Sequence, residues 1–173
     1  MRHPYLTYKS TCLCLSNCFS DKCKTMSKSG KNIFLADDDA DDCLLFEDAL
    51  KEVANDITLT TISDGIELMD MLEERVPPPP DMIFLDLNMP RKNGFECLRE
   101  IRTDQRLKSI PVIIFSTSSQ PEFIEQVYIS GANRYIRKPS SFSELMKAIA
   151  EMLSIDWDTS ERFPKRDNFF ISF

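Results

Sequence analysis

One carboxylate, Asp86, directly follows a short apolar run, Met82 to Leu85, in the stretch MIFLDLNMP. Four consecutive apolar residues after a run of prolines predict a strand that is buried on both faces. Asn88, Pro90 and Gly94 then predict a loop, which would present the carboxylate in a cleft. Taken alone, this segment fits a reactive carboxylate and a turn-capping Asp equally well.

Polar side chains also follow other predicted strands of the chain. They are Asp37, Asp38, Asp39, Asp41 and Asp42 after the first strand, Ser116 to Ser119 after the fourth, and Lys138 after the fifth. Because parallel strands open their carboxyl ends on one edge of a sheet, we expect these groups to meet Asp86 there. This convergence favours the reactive carboxylate over the turn cap.

The chemistry of this set points to a phosphoryl-accepting site. Asp37, Asp38 and Asp86 in one cleft would repel one another unless a cation lay between them. Oxygen ligands without His or Cys select a hard ion, Mg²⁺ or alternatively Mn²⁺. Lys138 supplies a second cation and Ser116 a hydroxyl donor, so that Asp86 could attack an incoming phosphoryl group in line.

The elements that position these groups follow a strand–helix order repeated five times. Strands are predicted at 33–36, 57–62, 82–85, 112–115 and 133–136, and helices at 39–53, 63–74, 94–103, 121–129 and 141–153. This order predicts an α/β fold, a doubly wound parallel sheet with right-handed crossovers and helices on both faces.

Composition excludes several classes of function. The net charge of −7 over 173 residues argues against a nucleic-acid-binding surface. No apolar stretch reaches the ~20 residues that span a membrane, and no secretory signal pattern is present, which predicts a cytoplasmic protein. The only histidine is His3, so the periodic region cannot hold a Ser-His-Asp or Cys-His catalytic set.

Three regions are predicted along the chain. Residues 1–30 lack periodicity and are predicted to be a disordered extension, with Met26 a conventional alternative start. Residues 31–155 form the folded domain. Residues 156–173 form an aromatic tail that either lies over the domain or serves as an interaction or dimerisation segment.

The motifs, taken together, resemble the receiver domain of two-component response regulators. The resemblance rests on Asp37-Asp38, FLDLNMPRKNG around Asp86, Ser116, and the run Tyr135-Ile136-Arg137-Lys138-Pro139, in order over residues 32 to 153. It is greatest with small single-domain receivers, including those paired with phytochrome-like histidine kinases. The family implies a flavodoxin-like, five-stranded, three-layer fold with strand order 2-1-3-4-5.

The resemblance also implies a metal site at the sheet edge. Asp86 would be the phosphoacceptor and Asp38 the principal Mg²⁺ ligand. Asp37 would act mainly through water, and the Asn88 backbone carbonyl would complete the protein's ligands.

A switch is implied on the other side of Asp86. Lys138 would pair with Asp86 at rest and with the phosphoryl group afterwards. Ser116 would turn to that group, and Tyr135 would follow into the space it leaves.

The function implied is a stand-alone signalling module that catalyses only its own phosphorylation and dephosphorylation. Its partners would be a sensor histidine kinase or a histidine phosphotransfer protein, with a homodimer through the sheet-edge face or the tail as a further prediction. The segment after Leu153 is too short for a helix-turn-helix output domain. The alternative is a Mg²⁺-dependent phosphatase of the haloacid-dehalogenase type, although that family has its nucleophile after the first strand and a second Asp two residues later, where this chain has Asn88.

Overall fold

The protein is described by a computed structural model that covers residues 30–74, 79–159 and 163–172. The predicted N-terminal extension therefore lies outside the described residues, apart from Gly30. The strands are β1 (Lys31–Ala36), β2 (Ile57–Ile62), β3 (Met82–Leu85), β4 (Val112–Ser116), β5 (Arg134–Arg137) and β6 (Phe170–Ile171). The helices are α1 (Ala40–Val53), α2 (Gly65–Glu73), α3 (Gly94–Thr103), α4 (Pro121–Ile129) and α5 (Phe142–Ser154), and a 3-10 turn covers Arg166–Asn168.

The strands form one parallel sheet with the order β2-β1-β3-β4-β5-β6. The predicted parallel, flavodoxin-like α/β architecture is confirmed, but the prediction of five strands is wrong by one. The sixth strand comes from the aromatic tail, where Phe170 pairs with Tyr135 and Ile171 with Ile136. A strand of two residues carries no alternating pattern, so periodicity could not reveal it.

Helices cover both faces of the sheet and enclose two apolar cores. Alternate residues of each strand point to opposite faces, so Ile33 and Leu35 of β1 enter one core, and Phe34 and Ala36 enter the other. The first core packs against α1 and α5, and the second against α2, α3 and α4. Among the described residues, no helix is both long and apolar enough to cross a membrane.

Side-chain caps fix the start of α1, α2 and α5. The Asp39 carboxylate accepts hydrogen bonds from the backbone N–H groups of Asp41 and Asp42 and so begins α1. The Asp64 carboxylate accepts from the backbone N–H groups of Ile66 and Glu67 and so begins α2, and Ser141 begins α5. Each cap lies at the carboxyl end of a strand, so the caps fix the loops that surround the polar edge.

Part of the aromatic tail belongs to the cores. The Phe169 side chain is fully buried, and its ring packs edge-on against Tyr128 at a centroid distance of 4.9 Å. The Phe169 carbonyl accepts a hydrogen bond from the backbone N–H of Tyr135 at 2.9 Å. Trp157 packs in the other core and donates from Nε1 to the Met152 carbonyl. The tail thus contributes to the packing of the domain as well as to its sheet.

The packing of the tail predicts unequal effects for its two phenylalanines. Phe169→Ala should lower the free energy of unfolding by about 3–5 kcal/mol, because it empties a fully buried ring site. Phe163→Ala should change it by about 0.5 kcal/mol or less, because that side chain is 57% exposed. Urea unfolding followed by tryptophan fluorescence measures both. Equal effects would contradict the packing of Phe169 into the core.

Candidate functional site

Three carboxylates meet at the carboxyl edge of the sheet. Oxygen atoms of Asp37, Asp38 and Asp86 all lie within 4.8 Å of one another. Strand order brings them together, because β1 and β3 are neighbours although β2 lies between them in sequence. Ala36 pairs with Leu85, and the Asp86 N–H donates to the Ala36 carbonyl at 2.9 Å. The crevice between such strands is where open parallel sheets place their sites.

The burial of the three carboxylates differs. Asp37 and Asp86 are buried, whereas Asp38 lies exposed at the rim. Burial raises the pKa of Asp37 above its usual range, against the opposing hydrogen bond and charge of Lys138. The site therefore holds two carboxylates that are poorly solvated and one that remains open to the solvent.

Lys138 lies on the far side of this cluster and contacts three carboxylates. Its Nζ is 2.7 Å from Asp37 Oδ2, 2.7 Å from Asp42 Oδ2 and 3.5 Å from Asp86 Oδ2. Burial opposes the charge on the ammonium, but the hydrogen bonds to Asp37 and Asp42 and the charge of Asp86 outweigh it and raise the pKa of Lys138. The side chain is thus a permanent cation at neutral pH. The sequence predicts Lys138 at this edge because it directly follows β5, and the structure places its ammonium beside the carboxylates.

The donor set fits a hard divalent cation. Asp37 Oδ2 lies 2.7 Å from Lys138 Nζ and, apart from that ammonium, meets no hydrogen-bond donor among the described residues. Its partner oxygen accepts from the Asp39 N–H at 3.1 Å. A buried carboxylate oxygen with an unused lone pair, beside two further carboxylates and with only oxygen donors, matches the preference of Mg²⁺ or Mn²⁺.

The backbone of the following loop binds one carboxylate oxygen of Asp86 and leaves the other oxygen facing the crevice. Its Oδ1 accepts a hydrogen bond from the Leu87 N–H at 2.6 Å, while Oδ2 faces Lys138. Gly94 is required beside it, because a Cβ at that position would collide with the Asp86 backbone carbonyl. Gly94 thus packs directly against the backbone of Asp86, and only a residue without a side chain permits this close approach.

Ser116 and Tyr135 lie next to the carboxylates on the β4 and β5 side. The Ser116 hydroxyl is fully buried and makes no hydrogen bond of standard geometry among the described residues. The Tyr135 ring is also fully buried, and its hydroxyl donates to the Ser118 carbonyl at 2.9 Å. The Ser116 carbonyl accepts from the Lys138 N–H at 2.9 Å, which sets the two groups side by side.

Asn88 lies in the loop two residues after Asp86 and is exposed. The same loop is anchored by an ion pair between Arg91 and the buried Asp64. Arg91 has a left-handed backbone with φ of 63°. This ion pair anchors the part of the loop that carries Asn88. The role of the Asn88 backbone carbonyl as a metal ligand stays a prediction.

Sequence analysis missed two members of this site. Asp42 was noted only as part of the acidic run, yet it contacts Lys138 as closely as Asp37 does. The available signal was its position in the first turn of α1, directly after β1. Arg91 gave no signal, because its partner Asp64 lies on a different loop.

Comparison with known proteins agrees with this geometry. The sequence profile described as "Response regulator receiver domain" matches residues 33–150. The chain is 33% identical over 127 residues to Response regulator Rcp1 of Synechocystis sp., with 71% of this chain and 86% of Rcp1 covered.

Solved structures that resemble this chain are also response regulators. The phosphorylated cyanobacterial phytochrome response regulator RcpA has a TM-score of 0.67 at 36% identity, over 71% of this chain and 91% of RcpA. The Mn²⁺-bound form of Rcp1 has a TM-score of 0.66 at 32% identity, over 72% of this chain and 93% of that chain.

The alternative of a haloacid-dehalogenase-type phosphatase is not supported, because the family profile and these relatives are response regulators. The acidic pair also follows the first strand and Asp86 the third, in the order expected of a receiver. The chain belongs to the response regulator receiver domain family.

Proposed function

We propose that this receiver accepts a phosphoryl group on Asp86 from a histidine kinase or a histidine phosphotransfer protein and holds it as a signal. One observation carries the proposal: Asp86 Oδ2 faces the cation Lys138 within a cluster of two further carboxylates. This arrangement supplies a nucleophile, a fixed positive charge and a set of metal ligands within one crevice.

The transfer is a displacement at phosphorus. An oxygen of Asp86 forms the new O–P bond while the P–N bond to the donor imidazole breaks, and the electron pair of that bond stays on the nitrogen. The product is an acyl phosphate, whose extra negative charge lies next to Lys138. The ammonium stabilises this charge, and the Ser116 hydroxyl can donate to a phosphoryl oxygen.

We propose that the divalent cation is Mg²⁺, with Mn²⁺ as a substitute. Its ligands would be Asp37, Asp38, Asp86 and the backbone carbonyl of Asn88. When bound, the cation would neutralise charge on the carboxylates and on the transferring group. The relative Rcp1 has been solved in a Mn²⁺-bound form, which supports a site for such an ion. The buried Asp37 Oδ2, which meets no donor other than Lys138 among the described residues, supports it from the side of this chain.

The signal would be read through Ser116 and Tyr135. The Ser116 hydroxyl would turn to the phosphoryl group, and the Tyr135 side chain would move into the space that it leaves. Phosphorylation would therefore favour one of two arrangements of Ser116 and Tyr135. The Tyr135 ring contacts Phe169 and Phe170 of the tail at centroid distances of 6.5 and 5.6 Å. Through these contacts, a change at Tyr135 would reach the tail.

The protein would act through contacts with other proteins and would catalyse only its own phosphorylation and dephosphorylation. Among the described residues there is no domain that could bind DNA, and the relatives RcpA and Rcp1 are named as response regulators. Three further features stay predictions. They are a homodimer through the sheet edge or the tail, a division into a folded domain at 31–155 and a tail at 156–173, and a cytoplasmic location.

Asp86→Asn should abolish phosphoryl uptake, because it removes the nucleophilic oxygen. Incubation with acetyl phosphate and Mg²⁺, followed by intact-mass analysis, should show one phosphoryl adduct on the native protein and none on this variant. Asp70→Asn, which neutralises an exposed Asp on α2, should retain the adduct. An unmodified native protein, or an adduct on Asp86→Asn, would refute the proposal.

Mg²⁺ should stabilise the folded protein through the carboxylate cluster. At a concentration ten times its Kd, it should add about 1.4 kcal/mol to the free energy of unfolding. Asp38→Asn should remove most of this gain, because it takes away a rim ligand, while Asp70→Asn should keep it. Thermal unfolding with Mg²⁺ and with EDTA, at equal ionic strength, measures the difference. Equal stabilisation of both variants would place the cation elsewhere.

A further inference from the structure

Lys138 is shared unequally among the carboxylates around it. Asp42 holds its Nζ at 2.7 Å, whereas Asp86, the proposed phosphoacceptor, is 3.5 Å away. Asp37 also lies at 2.7 Å but belongs to the proposed metal ligands. Asp42 is therefore the one close partner of Lys138 among the described residues that has no other role in the site.

The backbone of Asp42 is fixed in position by the start of α1. It lies in the first turn of that helix, and its backbone N–H donates to the Asp39 cap. A negative side chain at a helix N-terminus is favoured by the exposed N–H groups there. The Lys138 side chain is 9% exposed and that of Asp42 36%, so the solvent screens this pair less than it screens a fully exposed pair.

We infer that Asp42 is a positioning residue that draws Lys138 away from Asp86 and so restrains phosphoryl transfer to that residue. The inference rests on the proposed function of Asp86. It concerns the rate of the reaction, and Asp42 itself exchanges no atom or proton with the substrate.

The physical reason lies in the charge that the transfer develops. When acetyl phosphate is the donor, an Asp86 oxygen bonds to phosphorus, the P–O bond to the acetyl group breaks, and acetate leaves with the electron pair. Negative charge spreads over the transferring oxygens during this step, and a nearby cation stabilises it. An ammonium already paired with Asp42 provides less of this stabilisation, and its Nζ is held further from Asp86.

Asp42→Asn should therefore accelerate phosphorylation. The matched control is Asp41→Asn, which removes the same charge from the same helical turn but from an exposed side chain. With acetyl phosphate at fixed Mg²⁺, we expect Asp42→Asn to react about fivefold faster than the control. A factor of this size corresponds to the interaction energy of one partly buried ion pair. Asp42→Glu, which restores a carboxylate, should return the rate toward that of the native protein.

A second measurement reports the pairing without any donor or metal. The ¹⁵N NMR signal of the Lys138 ammonium, assigned through its loss in Lys138→Arg, should shift in Asp42→Asn and stay in place in Asp41→Asn. Thermal unfolding checks that the variants fold. Equal or slower phosphorylation of Asp42→Asn, or an unchanged Lys138 signal, would overturn the inference.

The two proposals fail differently. If neither the native protein nor any variant takes up a phosphoryl group, the function proposed for Asp86 fails, and this inference fails with it. If all of them take it up at equal rates, the proposed function stands and the role of Asp42 is refuted.

Discussion

Two carboxylates, Asp37 and Asp86, are buried side by side because β1 and β3 are neighbours in register at the sheet's carboxyl edge. Such a pair is unfavourable by itself, since burial and mutual repulsion both oppose the charged forms. Lys138, delivered by β5, places one ammonium against both. The position of β5 in the sheet therefore matters as much to the site as the acidic residues themselves do.

Much of this arrangement follows from local sequence. Short apolar strands, capped helices and polar residues directly after each strand predicted the parallel sheet and the edge at which Asp37, Asp86 and Lys138 meet. These residues could be placed because all strands of a parallel sheet end at the same edge, so a residue that directly follows a strand must lie there.

Other features depend on contacts between distant segments and carry little local signal. The pairing of Lys138 with Asp42 depends on the rotation of α1 about its axis, which the sequence specifies only through packing against the sheet. The ion pair of Arg91 with Asp64 joins two loops. The β6 strand is too short for a pattern, and its position is set by the burial of the neighbouring Phe169.

The pairing of β6 with β5 has a consequence beyond the site. Without it, β5 would be the outer strand, and the Tyr135 N–H that now donates to Phe169 would be an open template for another chain. A strand of only two residues closes this edge and offers very little edge of its own. The tail thereby shields the β5 edge of the sheet from pairing with another chain, which matters for the protein in concentrated solution rather than for its chemistry.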